Sequence, residues 1–109
     1  MNEITLREVC DSFGVSRRAV QGYEKAGLVS ATSRNRRGYL LYDGSSQERI
    51  KKIKLFQEMG FSIKEICEII DAPNHILKSA LEQRIKSLQE NSRHTEAMIR
   101  KANELIDQL

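Results

Sequence analysis

The fold is decided by residues 5–27, which read TLREVCDSFGVSRRAVQGYEKAG. Apolar residues in the first part of this stretch follow the i, i+3, i+4, i+7 spacing of one helix face, at Leu6, Val9, Cys10 and Phe13. Thr5 lies directly before that pattern and Glu8 lies three residues further on, which is the spacing of a capping box. The stretch therefore predicts a helix that begins after Thr5 and packs its apolar face into a core.

A second helix follows a tight Gly-Val-Ser turn at residues 14–16. Gly14 ends the first helix, because glycine adopts the left-handed conformation that helix C-termini favour. Ser16 can cap the next helix, which we expect over residues 17–26 before Gly27 stops it. Two short helices joined by so short a turn predict a helix-turn-helix unit, with the second helix as its recognition helix.

The next segment predicts a two-stranded hairpin, or wing. Residues 28–31 and 39–42 are short extended candidates, and they flank a polar, arginine-rich stretch at 32–38. The tip of that stretch carries three arginines beside a glycine: Arg34, Arg36, Arg37 and Gly38. Guanidinium groups bind phosphates bidentately and are favoured in a narrow minor groove, so the tip is a candidate contact with nucleic acid.

Two further helices complete the predicted head. The polar residues 43–46 lead from the wing into a third helix, which we expect to end at Gly60. The apolar residues of this helix are Ile50, Ile53, Leu55 and Phe56. Ser62 and Glu65 have the capping-box spacing at the start of a fourth helix, whose apolar face comprises Ile63, Ile66, Ile69 and Ile70. The predicted fold class is mainly α, with a winged helix-turn-helix head over residues 1–72 and a small β-hairpin.

The remaining residues predict one long helix. Pro73 is the only proline, and the segment from there to Leu109 contains no glycine, so we expect a fifth helix of about 36 residues at 73–109. Apolar or small residues along it alternate steps of four and three, at Leu81, Ile85, Leu88, Ser92, Thr95, Ile99, Ala102, Ile106 and Leu109. That spacing is typical of a coiled-coil seam. We therefore expect a dimerisation helix whose interface includes all of these positions except Ser92 and Leu109.

Composition excludes several classes of protein. The chain has 109 residues, of which 39% are hydrophobic and 30% charged, the balance of a folded domain rather than a disordered segment. That length leaves no room for a second, large ligand-binding domain. No run approaches the roughly 20 apolar residues needed to span a bilayer, and the N-terminus lacks the apolar stretch of a signal peptide. We therefore expect a cytoplasmic protein that does not interact with membranes.

Cysteine and histidine usage predicts no metal or cofactor site. Cys10 and Cys67 are the only cysteines, and in a chain without a secretion signal we expect both to be reduced, Cys10 in the core and Cys67 partly exposed. His75 and His94 are far apart along the long helix, with no cysteine or carboxylate set at metal-ligand spacing. No set of nucleophile, base and oxyanion donor stands out either, so an enzyme is the weakest interpretation.

The distribution of positive charge points to nucleic acid. The net charge of +3 permits binding to a polyanion, but residues 34–54 alone contain seven Lys or Arg residues against two acidic ones. Arg17 and Arg18 lie in the first turn of the recognition helix, which presents its N-terminal residues to base edges in the major groove. Tyr23 lies later on the same helix, either as a phosphate contact or as a purely structural residue. Three lysines of the third helix rank below the wing as candidate contacts: Lys51, Lys52 and Lys54.

Several short motifs occur in one order along the head: Gly14-Val15-Ser16, Arg18, Tyr23-Glu24-Lys25, Gly27-Leu28, Gly38-Tyr39, Tyr42 and Met59-Gly60-Phe61-Ser62. In that order and spacing the sequence resembles the MerR family of regulators, over residues 4–70. The resemblance implies a short member without a large effector-binding domain, which dimerises through an antiparallel coiled coil. It also implies binding to a pseudo-palindromic promoter operator that the dimer bends and untwists. The expected partners are double-stranded DNA, a second copy of the chain, and RNA polymerase at the promoter.

The resemblance also points to the recognition helix and the wing as the DNA-contacting surface. The candidate contact residues are Ser16, Arg17, Arg18, Gln21, Tyr23, Arg34, Arg36, Arg37, Tyr39 and Tyr42. Members of the family usually have Arg-Tyr before the helix tyrosine and an arginine after the wing Gly-Tyr, whereas this chain has Gln21-Gly22 and Leu40. Two phosphate contacts therefore lack their usual residues, and Arg17, Arg36 and Arg37 are candidates to compensate. We expect the operator preference to differ from that of typical members.

Two other functions stay open from the sequence. An architectural protein similar to excisionases would use the same head to bend DNA without a direct role in transcription. A coiled-coil interaction protein would use the head to dock a protein partner. The long dimerisation helix favours a transcription regulator over the first alternative, and the arginine-rich wing disfavours the second. A mobility-shift assay discriminates DNA binding from protein docking.

Overall fold

The computed structural model describes residues 2–109, which divide into two compact units between Asp71 and Ala72. We call residues 2–71 the head; the second unit is essentially one long helix. The head contains four helices and a small antiparallel sheet. The prediction of a mainly helical chain, with a helix-turn-helix, a wing and a long C-terminal helix, is confirmed.

The elements of the head follow one another through short connections. In chain order they are β1 (Ile4–Thr5), α1 (Leu6–Phe13), α2 (Arg17–Lys25), β2 (Ser33–Arg34), β3 (Leu40–Tyr42), α3 (Gly44–Glu58) and α4 (Ile63–Ile69). α1 and α2 are the predicted helix-turn-helix, with α2 in the place of the recognition helix. β2, β3 and the turn between them form the wing.

Local capping explains where the helices begin. The Thr5 hydroxyl accepts a hydrogen bond from the Glu8 amide at 3.3 Å, and the Glu8 carboxylate accepts one from the Thr5 amide at 3.0 Å. Ser62 and Glu65 form the same capping box at the start of α4, and Ser16 caps α2. Each contact satisfies a backbone donor that the first turn of a helix leaves unpaired. These three predicted helix starts are confirmed.

The sheet differs from the predicted two-stranded hairpin. β3 lies in the centre, with β1 and β2 antiparallel on either side, and Leu41 faces a residue of each. The sequence predicts the first hairpin strand at residues 28–31, which is wrong, because that strand is Ser33–Arg34. Leu28 and Val29 are apolar because they lie in the core, where they are 4% and 8% exposed, rather than because they pair in a sheet.

The core of the head draws on all four of its helices and on the central strand. Its most deeply buried side chains are Val9, Val20, Tyr42, Ile50, Ile53 and Ile66. Phe56 and Phe61 pack edge to face, with ring centroids 5.9 Å apart. Leu55, one of the apolar residues from which the sequence predicts α3, is half exposed, and Cys10, which the sequence predicts in the core, is only half-buried. Core contacts between residues far apart in sequence thus fix the position of α2 relative to the wing.

Arg49 ties the last residue of the head to the segment after α2. Its guanidinium donates two hydrogen bonds to the Asp71 carboxylate, at 2.8 and 2.7 Å, and its Nε donates to the Leu28 carbonyl. The Arg49 guanidinium holds the pKa of the Asp71 carboxyl below its usual range. A bidentate pair fixes direction as well as distance, so Arg49 orients both segments that it contacts.

The second unit contains helix α5 (Asn74–Asp107), whose 34 residues agree with the predicted length. At a rise of about 1.5 Å per residue this helix is about 51 Å long. None of the residues 74–107 is buried. Seven large apolar side chains of α5 are 42–63% exposed: Ile76, Ile85, Leu88, Met98, Ile99, Leu105 and Ile106. The Thr95 hydroxyl donates to the Asn91 carbonyl at 2.9 Å, so this polar group is satisfied within its own helix.

Candidate nucleic-acid interface

α2 has one buried face and one polar face. Tyr23 belongs to the buried face, together with Val20. The exposed face carries three candidate contact residues: Arg17, Arg18 and Gln21. Ser16 accepts a hydrogen bond from the Ala19 amide at 3.0 Å, so its side chain acts as the helix cap. Because the N-terminal end of a helix carries partial positive charge, the exposed arginines of the first turn make that end more strongly positive.

Two predicted contact residues lie in the core instead. Tyr23 is 2% exposed and its hydroxyl donates a 2.6 Å hydrogen bond to Gln57, while Tyr42 is fully buried and its hydroxyl donates to the Glu24 carboxylate. Burial, together with the nearby Glu24 carboxylate, raises the pKa of Tyr42 well above its usual range. Tyr23 thus takes the structural role that the sequence left open as its alternative, and the prediction that Tyr42 contacts DNA is corrected, because its side chain is fully buried. The two tyrosines hold α2 against α3 and β3.

Asn35 builds the turn of the wing. Its side-chain oxygen accepts hydrogen bonds from the amides of Arg37 at 2.9 Å and Tyr39 at 3.0 Å. The Arg34 guanidinium donates to the Gly38 carbonyl at 2.7 Å, and Gly38 has a φ of 83°, in the left-handed region that glycine tolerates. Asn35 is absent from the sequence-based candidates, although asparagine commonly binds the backbone two residues further on.

The tip of the wing presents unpaired positive charge. Arg36 and Arg37 are exposed, and their side chains make no hydrogen bond or ion pair within the described residues. Tyr39 is 58% exposed beside them. Both tip arginines are therefore free to meet an anionic ligand.

The starts of α1 and α2 and the wing together line one pocket of about 480 Å³. Its lining residues are Thr5, Leu6, Arg7, Arg17, Arg34, Gly38, Tyr39 and Leu40. Three of these are arginines from three different elements, and none is acidic. Nothing in the local sequence singles out Arg7, which is an exposed residue of α1, and only the fold places it in the same pocket as Arg17 and Arg34. We call this site the arginine pocket.

Two of the three lysines of α3, Lys51 and Lys54, are engaged within the head. The Lys54 Nζ donates to the Phe13 carbonyl at 2.7 Å and lies 3.6 Å from a carboxylate oxygen of Glu58. The Lys51 Nζ lies 4.9 Å from the centre of the Phe13 ring and 3.0 Å from a Glu48 oxygen. Lys54 thus satisfies a carbonyl at the C-terminal end of α1, where a cation also complements the helix dipole. These contacts give both lysines a structural role.

We also searched the described part of the chain for metal-ligand clusters, disulfides and membrane-spanning helices. Across residues 2–109, no three His, Cys, Asp or Glu side chains converge in a way that could hold a metal ion. Cys10 and Cys67 are both free thiols. Over the same residues, no helix combines the length and the apolar character that a membrane span requires.

Comparison with known proteins agrees with this architecture. The profile of a family described as MerR HTH family regulatory protein matches residues 4–73, from β1 to the residue before α5. The chain belongs to the MerR family. The resemblance inferred from the motifs of the helix-turn-helix and the wing is thereby confirmed. Two relatives of this MerR-family chain are named as a transcriptional activator and as an operon regulatory protein.

Curated relatives align mainly through the head. The HTH-type transcriptional activator mta of Bacillus subtilis (strain 168) is 32% identical over 94 residues, which cover 86% of this chain and 37% of that protein. The mercuric resistance operon regulatory protein of Bacillus cereus is 33% identical over 63 residues, 58% of this chain and 48% of that protein. The chain thus spans between about a quarter and a half of the length of the first curated relatives that it matches.

Solved structures share the fold beyond the head. The N-terminal part of the Bacillus subtilis multidrug transporter activator, MtaN, superposes with a TM-score of 0.79 at 29% identity, covering 94% of this chain and 97% of that chain. HiNmlR, described as a MerR family regulator lacking the sensor domain and bound to promoter DNA, has a TM-score of 0.54 at 18% identity. That alignment covers 97% of this chain and 80% of the other. At that identity, the second likeness concerns the fold alone.

Proposed function

We propose that this MerR-family chain binds double-stranded promoter DNA as a homodimer and regulates transcription there. The observation that carries the proposal is the arginine pocket, where the start of the recognition helix adjoins the wing. Arg17 and Arg34 therefore belong to one continuous basic surface, flanked by the unpaired arginines of the wing tip. A duplex offers regularly spaced phosphates to such a surface and base edges to the helix beside it.

The two elements have different tasks in this proposal. α2 enters the major groove, where Arg18 can pair with a guanine and Gln21 with an adenine through two hydrogen bonds each. Arg36 and Arg37 bind the backbone or a narrow minor groove through the wing. Gly22 is exposed beside Gln21, with open space around its Cα. The recognition face is therefore flatter at Gly22 than it would be with the tyrosine that the family resemblance leads one to expect there.

Known relatives support DNA binding and regulation. The relative mta is named a transcriptional activator, and the structure of HiNmlR is bound to promoter DNA. An operator selected from random duplexes and confirmed by mobility shift would test the proposal. Arg18→Ala should weaken binding to it, whereas Lys64→Ala, an exposed change on α4, should not. If the chain bends its selected site without altering transcription from a promoter that carries it, the architectural alternative replaces the regulator.

The dimer in this proposal rests on α5. Ile85, Ile99 and Ile106 are 54%, 56% and 63% exposed in the single chain, and a stripe of such residues along a long helix calls for a partner helix. Thr95 can join that stripe through its methyl group, because its hydroxyl already donates to the Asn91 carbonyl. A second copy of α5 presents the same stripe and is therefore the proposed partner.

The spacing of the stripe favours one antiparallel register. In that register the two-fold axis passes between Arg93 and His94, and Ser92 packs against the partner's Thr95. From Leu81 to Ile106 the steps of four and three are symmetric about this point, so the other seam residues in that range also meet apolar residues. The remaining pairs are Leu81 with the partner's Ile106, Ile85 with the partner's Ala102, and Leu88 with the partner's Ile99.

Charged residues beside the seam disfavour the neighbouring registers. Glu82, Gln89, Glu96 and Asn103 flank the stripe along one edge. In the proposed register Glu82 faces the partner's Asn103, and Glu96 faces the partner's Gln89. If one helix shifts by one heptad in one direction, Glu96 faces the partner's Glu96. If it shifts by one heptad in the other direction, Glu82 faces the partner's Glu96. Like charges at such positions destabilise the pairing, so the central register is preferred.

Two-fold symmetry has a consequence for the operator. Because the two heads are related by rotation, they require inverted half-sites, and a pseudo-palindromic operator follows. Heads attached to a paired helix of about 51 Å cannot adjust their separation freely. Fitting both half-sites would then bend or untwist the central DNA, at a cost of about 1–6 kcal/mol. Footprinting on the selected operator should reveal two protected half-sites with altered reactivity between them.

A further inference from the structure

We infer that the arginine pocket binds a single phosphate of the DNA backbone and that Arg7 is one of its contact residues. The inference rests on the proposed function and adds a site and a residue to it. Neither the charge pattern of the sequence nor its resemblance to a family singles out Arg7. Its placement beside Arg17 and Arg34 depends on the three-dimensional arrangement of α1, α2 and the wing.

The charges around the pocket leave an excess that an anion would neutralise. Arg7, Arg17 and Arg34 line it without an acidic lining residue. Glu8, the neighbouring carboxylate on α1, is held by the Thr5 amide and hydroxyl, each at 3.0 Å. Neither Arg7 nor Arg17 forms an ion pair within the described residues. The positive charges of these three arginines repel one another, and an anion bound between them would be attracted to all three.

The shape of the pocket suits a phosphate that is part of a chain. Leu6, Tyr39 and Leu40 line the same pocket as the three arginines and supply apolar walls to it. Such walls can pack against the sugars on either side of a backbone phosphate, whereas a free, fully hydrated ion gains nothing from them. Planar guanidinium groups meanwhile match the paired oxygens of a phosphate. The combination favours a DNA backbone over free phosphate.

Leu40 is the residue of the wing that directly follows Gly38-Tyr39, and it carries no charge. Leu40 and Arg7 line the same pocket. Arg7 therefore adds a cation from α1 beside the apolar side chain of Leu40, in a pocket to which the wing also contributes Arg34.

A double-mutant cycle on DNA binding tests the inference. Arg7→Ala should weaken binding of a mixed-sequence duplex about tenfold at low salt, the scale of one charge-assisted contact. If Arg7 and Arg17 share one phosphate, the loss in the double alanine variant should differ by more than about threefold from the product of the single losses. The matched control pairs Arg7 with Arg36, and those two losses should multiply. Circular dichroism should show unchanged folding, because Arg7 is exposed.

The outcomes separate this inference from the proposed function. If the parent chain binds no duplex at all, the proposed function fails. If the parent binds but Arg7→Ala binds equally well, or if the Arg7 and Arg17 losses simply multiply, the arginine pocket is not a shared phosphate site. A pocket for free phosphate would make inorganic phosphate a stronger competitor than chloride of equal ionic strength. That result would overturn the assignment to the DNA backbone.

Discussion

Replacing Ile99 and Ile106 with aspartate should dissociate the proposed dimer. Full burial of an isoleucine side chain stabilises by about 1.5–3 kcal/mol relative to an exposed one. Ile99 and Ile106 are 56% and 63% exposed in the single chain, so covering the exposed part of each contributes about 1 kcal/mol or more. A symmetric dimer contains each residue twice, which brings the loss to about 4 kcal/mol, a rise of about a thousandfold in Kd.

Aspartate adds a second penalty, because its carboxylate would be buried at the seam without a cationic partner. The control carries Gln83→Asp and Gln108→Asp, which make the same change in charge at exposed positions outside the stripe. Analytical ultracentrifugation at micromolar concentration should find dimers for the parent and the control, and monomers for the Ile99→Asp, Ile106→Asp variant. A parent that sediments as a monomer, or a seam variant that dimerises and protects both half-sites like the parent, would refute the role of α5.

Three further perturbations address the register and the DNA contacts. In a background without the native cysteines, oxidation should cross-link a mixture of Ser92→Cys and Thr95→Cys chains into heterodimers; strong cross-linking of either variant with itself would indicate another register. Arg18→Ala should weaken binding to the selected operator by about 1–3 kcal/mol without affecting folding, and unchanged affinity would remove this residue from the interface. Replacing Arg36 and Arg37 together with alanine should weaken binding to all sequences alike and flatten the salt dependence by up to about two phosphate equivalents. A loss confined to one operator sequence would contradict their assignment to the backbone.

Features that depend only on residues close together in the sequence could be predicted from the sequence. The Thr5 and Glu8 capping box, the Ser16 cap and the turn at Gly14 involve residues at most four positions apart, so their spacing alone predicts them. The length of α5 follows similarly from an uninterrupted segment after Pro73. The family could be recognised for the same reason, since its motifs are short and keep a fixed order.

Contacts between distant segments could not be read in this way. β1 has only two residues, too few for an alternating pattern, and exists because β3 offers it a partner. Tyr42 carries a polar hydroxyl that Glu24 satisfies in the core, 18 positions away, so the type of residue alone does not distinguish it from a surface contact. The placement of Tyr42 among the contact residues is wrong for this reason.

The sequence by itself determined the helical order, the caps, the cationic tip of the wing and the apolar stripe of α5, because periodicity and short-range hydrogen bonds set each of them. Tertiary structure alone decided which polar residues became core and which arginines came together. Arg7 and Arg34 are separated by a helix-turn-helix and part of the wing, yet they line one pocket, because packing of the head brings the start of α1 beside the wing. Such convergence depends on the path of the whole backbone, and local spacing carries no signal of it.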